Sequence, residues 1–103
     1  MKLVYFEPAK RDLERFRMFM LSNDIPPERV NHILSGMLDS IRTLESNPML
    51  GYSIGAKHGY TTSHRAFITD PCIAIYKISG DEIEIRRIYH QREDYIRDIL
   101  IME

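Results

Sequence analysis

The sequence predicts an α+β domain in the order β-α-α-β-β-β-α, with an N-terminal helical hairpin packed on a mainly antiparallel sheet. Three observations lead there. Apolar residues recur at helical spacing over the first half of the chain, from Leu13 to Leu44. Three β-like runs crowd the second half, between His64 and Tyr89. A short turn, Ser79-Gly80-Asp81, joins the last two of them as a hairpin.

Residues 2–6 (Lys-Leu-Val-Tyr-Phe) form the opening strand, stopped by Glu7-Pro8. Proline suits the first helical position, so Pro8 starts a helix in which Leu13, Phe16 and Met20 recur up to about Leu21. Ser22-Asn23-Asp24 is a turn cluster. Pro26-Pro27-Glu28 then opens the clearest element. Val30, Ile33, Leu34, Met37, Leu38, Ile41 and Leu44 make one continuous stripe, with Glu28, Asn31, Asp39 and Arg42 opposite. Asn47-Pro48 ends that helix, because a proline disfavours helical geometry in the residue before it.

Residues 48–62 hold three glycines and no acidic residue, and are expected to form a loop with partial order. The strands follow. His64-Arg65-Ala66-Phe67-Ile68 is the first. Cys72-Ile73-Ala74-Ile75-Tyr76-Lys77-Ile78 is apolar on both faces and therefore central. The third, Glu82 to Tyr89, alternates until Arg86-Arg87, where the pattern slips and a bulge is expected. Gln91 to Met102 is expected to close the chain as a helix carrying Tyr95, Ile96, Ile99 and Leu100.

With 103 residues and 44 % hydrophobic content, one domain spanning 1–103 can bury a modest core without a disulfide or metal staple. The single cysteine, Cys72, excludes an intramolecular disulfide and sits in an apolar run as a small core residue. No apolar run has the length of a membrane span, and the first residues lack the pattern of a signal peptide, so a cytoplasmic protein is expected. Fourteen basic and fifteen acidic side chains give a net charge of −1, so any nucleic-acid surface must come from clustering.

One such cluster exists. Arg86-Arg87-Ile88-Tyr89-His90-Gln91-Arg92-Glu93-Asp94-Tyr95 holds three arginines, a histidine and two tyrosines. Arginine holds phosphate in a bidentate fork, and histidine titrates near neutral pH. Tyrosine donates a proton or stacks on a base. Together these are the parts of a metal-free ribonuclease: a base for the ribose 2′-OH, cations for the scissile phosphate and an acid for the leaving oxygen. Arg65 and His64, on a neighbouring strand, are expected to add to the same face. The plainer alternative is a solvated strand end with local ion pairs of little worth, such as Arg92 with Glu93 or Asp94. His32 belongs on the polar side of the second helix and His58 in the glycine-bearing loop. The four histidines and one cysteine show no metal-ligand spacing, so neither metal nor cofactor is expected. Gly51-Tyr52-Ser53-Ile54-Gly55 matches no phosphate loop or dinucleotide fingerprint.

Over nearly its full length the chain resembles the RelE/ParE toxin superfamily. The likeness is carried by Phe6-Glu7-Pro8-Ala9-Lys10-Arg11-Asp12-Leu13, by the long helix ending Leu44-x-x-Asn47-Pro48, and by the Arg65 strand. Ile73-Ala74-Ile75-Tyr76-Lys77-Ile78 and the run from Ile85 to Tyr95, with its His-x-Arg-x-Asp-Tyr ending, complete it. The resemblance implies a microbial RNase-like fold and a cognate antitoxin, usually encoded beside the toxin. It also implies one of two activities. RelE-like members cleave mRNA in the ribosomal A site, whereas ParE-like members act on DNA gyrase. His90, Arg92 and Tyr95 fall where RelE-like members place catalytic groups, and Arg65 lies on a strand that can contribute another. Arg86, Arg87 and His64 would then bind nucleic acid. Two departures stand against this: Ile73-Ala74-Ile75 replaces the arginine that RelE-like members carry before the central-strand tyrosine, and the basic excess of a ribosome binder is missing. The expected function is a ribosome-dependent endoribonuclease, with gyrase inhibition or antitoxin binding without toxicity as alternatives.

Overall fold

A computed structural model describes residues 1–59 and 61–91. Strand β1 (Lys2–Tyr5) runs into helix α1 (Glu7–Ser22), and helix α2 (Pro27–Arg42) follows, prolonged by a 3-10 turn at Thr43–Glu45. Then come β2 (Tyr52–Ser53), the short helix α3 (Ile54–His58), β3 (Arg65–Thr69), β4 (Cys72–Ser79) and β5 (Glu82–His90). The five strands form one sheet in the order β1-β5-β4-β3-β2. β1 runs parallel to β5, while every other pair is antiparallel.

α2 starts on Pro27 and α1 has Pro8 as its second residue, with Glu7 and Glu28 in the first turns against the positive end of the helix dipole. α1 stops where the Asn23 side chain donates to the Phe19 carbonyl at 2.8 Å and Asp24 takes a left-handed conformation, φ +63°. α2 lays Val30, Met37 and Ile41 inward, and Leu44 continues the stripe through the 3-10 turn. Leu38 lies at the rim and is 36 % exposed, so the stripe that reads as continuous in sequence is narrower in space.

The sheet buries both faces. Against the helical hairpin lie Cys72, Ala74 and Tyr76 of β4 with Ile83, Ile85 and Ile88 of β5. The outer face packs Ile73, Ile75, Ala66 and Tyr89 with Ile54 of α3. β4 contributes to both, which is why it reads as apolar on every residue from Cys72 to Tyr76. The expected irregularity in β5 is present: Tyr76 pairs with Ile85 while Ile75 pairs with Arg87, leaving Arg86 as the extra residue of a bulge.

The stretch expected to be a loop contains β2 and α3. Ser53 caps α3 by accepting from the Ala56 N–H at 3.2 Å, and Gly59 ends it with φ +77°. Elements of two and five residues are too short to leave a periodic signal. The helix expected over Gln91 to Met102 lies outside the described residues after Gln91.

Candidate functional site

The described side chains of the candidate set, Arg65, His64, Arg86, Arg87 and His90, do not converge on one point. Arg65 sits on the helix-facing side of β3 and is spent on the 48–51 segment. Its Nε donates to the Tyr76 hydroxyl at 3.3 Å, and Nη2 donates to the carbonyls of Met49 (3.3 Å) and Gly51. The Tyr76 hydroxyl accepts from the Gly51 N–H at 3.1 Å and donates to the Pro48 carbonyl at 2.6 Å. Arg65 and Tyr76 together fasten the chain between α2 and β2.

His64, the neighbour of Arg65, lies immediately before β3. It is buried beside Thr62, whose hydroxyl lies 3.2 Å from its Nδ1 and accepts its backbone N–H at 3.1 Å. Arg86 pairs with Glu84 at 3.0 Å and stacks over the Phe6 ring at 4.5 Å. Arg87 donates from Nε and Nη2 to Asp12 at 2.8 and 3.1 Å and lies over the Tyr89 ring. His90 faces the hairpin, its ring 6.2 Å from that of Phe16. Arg65 and His90 are separated by four residues along the strands and by two strand spacings, since His90 pairs with Cys72 and Cys72 with Thr69. That is about 16 Å. Arg92 and Tyr95 lie outside the described residues. His32 and His58 are exposed, on α2 and at the end of α3.

Asp12 is the node that the cluster's arginines did not reveal. It is 4 % exposed, on the inner face of α1. β1 stops pairing with β5 at Ile85, so among the described residues the edge of β5 beyond that point has no strand neighbour. Asp12 supplies the missing acceptor: its Oδ2 takes the Ile88 N–H at 2.8 Å, besides both bonds from Arg87 and one from Arg15. One carboxylate thus caps a strand edge and fixes two guanidinium groups.

A cleft of about 720 Å³ opens beside this node, lined among the described residues by Phe16 and Phe19 of α1, Cys72, Ile88 and His90 of the sheet, and Asp12 with Arg15. A second depression of about 410 Å³ shares Asp12 and Arg15 with it and has Pro8, Arg11 and Arg87 on its walls. The helical spacing of Asp12, Phe16 and Phe19 (i, i+4, i+7) was the signal for this face. Among the described residues no group of three His, Cys, Asp or Glu side chains is placed to hold a metal ion. No helix among them is long and apolar enough to cross a membrane.

A two-helix hairpin over a five-stranded mixed sheet, entered through a parallel edge strand, is the architecture of the RelE/ParE-fold toxins. The family model described as ParE toxin of type II toxin–antitoxin system, parDE, matches residues 3–95, and the chain belongs to that family. Among solved structures it is similar to the chromosomal ParDE system from P. aeruginosa, at 21 % identity and TM-score 0.74, covering 87 % of this chain and 95 % of that one. It is also similar to the toxin–antitoxin complex RelBE2 from Mycobacterium tuberculosis (15 % identity, TM-score 0.58, 87 % and 96 % covered). A conserved hypothetical protein from Helicobacter pylori shares the fold at 18 % identity and TM-score 0.52, with 90 % and 97 % covered. No curated protein matches it in a sequence search.

Proposed function

We propose that this chain is a cytoplasmic type II toxin that acts by binding its target, DNA gyrase, and is neutralised by a cognate antitoxin. The observation that carries the choice of target is the dispersal of the described cationic groups. Metal-free cleavage of RNA needs a base, an acid and phosphate-holding cations within hydrogen-bond reach of one another. Here Arg65 is spent on the 48–51 segment, Arg86 on Glu84 and Arg87 on Asp12, while His64 is buried beside Thr62. The match to the ParE family model and the balanced charge support the same choice. The purified chain should block supercoiling by gyrase at stoichiometric concentration. Unaffected supercoiling at molar excess would refute it.

A second function, ribosome-dependent mRNA cleavage, is favoured by one observation: His90 stands in the cleft that Arg15 also lines. On that proposal His90, Arg92, Tyr95 and Arg65 are catalytic and Arg86, Arg87 and His64 bind RNA. Codon-phased cuts on primer extension, lost in a His90→Ala, Arg92→Ala double variant, would establish it. Intact transcripts in arrested cells would exclude it. Normal growth on expression without the antitoxin would instead mark a non-toxic member that only binds the antitoxin.

A further inference from the structure

In a chain whose net charge is −1, a surface that holds phosphate has to be a local concentration of cations. The second depression, of about 410 Å³, is one. Arg11 and Arg15 of α1 and Arg87 of β5 line it, and among the described residues Asp12 is the one carboxylate on its walls. The other acids of α1 are committed along the same helix, Glu7 to Lys10 and Glu14 to Arg17. Only Arg87 of these three arginines belongs to the arginine-rich run of the sequence; the other two lie more than 70 positions away.

Asp12 builds the arrangement from below. Its carboxylate is 4 % exposed and accepts from the Ile88 N–H, from Nε and Nη2 of Arg87, and from Nη2 of Arg15. A carboxylate so occupied holds guanidinium groups in place without cancelling three of them. Arg15 is 68 % exposed and gives Asp12 one N–H of its five. Arg11 is exposed and makes no ion pair among the described residues. The two sit one helical turn apart, about 5–6 Å between Cβ atoms, so both forks can reach one phosphate. Among the described residues the walls carry no amide or hydroxyl side chain to read a base edge. Cations standing in water hold a lone phosphate weakly, whereas a polyanion gains at each contact by releasing condensed counterions.

We propose that this depression holds a backbone phosphate of duplex DNA, independently of base sequence. The proposal goes beyond the gyrase reading and does not rest on it, since binding is measured with no gyrase present. The test is an anisotropy titration of a fluorescein-labelled duplex of about 20 base pairs with the full chain, between about 50 and 200 mM salt. Arg11→Ala and Arg15→Ala are compared with Arg42→Ala, which makes the same change in net charge on α2, where that side chain is also 68 % exposed. Thermal melting should confirm that each variant folds.

Arg11→Ala and Arg15→Ala should each weaken binding about tenfold at the lower salt and reduce the slope of log affinity against log salt by about one, as losing one phosphate contact does. Arg42→Ala should stay within about threefold of wild type, and a duplex of unrelated sequence should bind equally. Equal losses in Arg42→Ala and Arg11→Ala would reveal a general attraction to the chain and overturn the proposal. So would failure of the wild type to bind the duplex at about 100 µM and the lower salt. Release of the duplex by millimolar pyrophosphate at matched ionic strength would assign the depression to a small phosphate ester instead, and tighter, Arg11-dependent binding of single-stranded RNA would assign it to RNA; either overturns the DNA reading. Blocked supercoiling without duplex binding leaves the gyrase reading standing and removes this site. Arg11-dependent and Arg15-dependent duplex binding with supercoiling unaffected does the reverse.

Discussion

Replacing Asp12 by alanine tests how α1 is tied to β5. The carboxylate accepts the Ile88 N–H and two bonds from Arg87, whose side chain is only 25 % exposed. Its bond to Arg15 counts for little, because that side chain is 68 % exposed. Asp12→Ala therefore strands a buried backbone donor, costing about 1–3 kcal/mol. It also leaves a half-buried guanidinium without its counter-charge, a loss of about 3–5 kcal/mol for fully buried pairs and less here. The sum is on the order of 3–5 kcal/mol, a large share of the roughly 5–15 kcal/mol that holds such a domain folded. Asp12→Asn keeps one acceptor for the Ile88 N–H and should lose about half as much. Urea unfolding of both variants, with Arg87→Ala and the Asp12→Ala, Arg87→Ala double variant, separates the contributions; the cycle should give a coupling of about 1–3 kcal/mol. A loss below about 1 kcal/mol for Asp12→Ala, or no coupling to Arg87, would refute the account of Asp12 as the edge cap.

Three further outcomes follow from other contacts. A Cβ on Gly51 would stand 2.6 Å from the Ala66 carbonyl oxygen and 2.7 Å from the Tyr76 ring, so Gly51→Ala should destabilise by about 1–3 kcal/mol in urea unfolding. Tyr76→Phe removes the acceptor of the Gly51 N–H and the donor to the Pro48 carbonyl, and should cost about 1–3 kcal/mol; added to Gly51→Ala its effect should be less than additive, because both loosen the same segment. Burial pushes the Tyr5 hydroxyl from 10.0 up to about 12, with Arg42 opposing the rise and Glu45 adding to it. A raised pKa means the unfolded chain releases this proton first, so the stabilisation is complete below pH 10 and is lost as pH rises toward 12. Tyr5→Phe should lose less stability than wild type between pH 9 and 11, measured by urea midpoints; parallel curves would exclude the effect.

The parts of the fold that were legible are those where one physical signal dominates. The α2 stripe is long enough to repeat, the prolines mark both helix starts, and Gly80, at φ +60°, makes the turn between β4 and β5. What could not be read depends on residues far apart in sequence. Asp12 and Ile88 lie 76 positions apart, and nothing around Asp12 distinguishes it from a surface acid on a helix. Arg65 carries the same chemistry whether it meets a phosphate or the Gly51 carbonyl; only the closeness of the 48–51 segment decides. The faces taken by Arg86, Arg87 and His90 were not legible either, because a cluster in sequence says nothing about which face each side chain takes.

The bulge at Arg86 settles that question for β5. Strict alternation from Ile83 and Ile85 would place Arg87 and Tyr89 toward the helices and Ile88 and His90 outward. The extra residue reverses this for everything after it, since a one-residue shift exchanges the two faces. Ile88 and His90 turn in against the hairpin side of Cys72 and Ala74, while Arg87 and Tyr89 pair outward with Ile75 and Ile73. The pleat alone would send Arg87 away from α1; its length lets it round the unpaired edge of β5 to reach Asp12. The same insertion thus brings His90 to the cleft beside α1, sets Ile88 to offer its N–H to Asp12, and makes Arg87 reach Asp12 around the edge of β5. One inserted residue divides the described side chains of β5 between the two faces of the sheet.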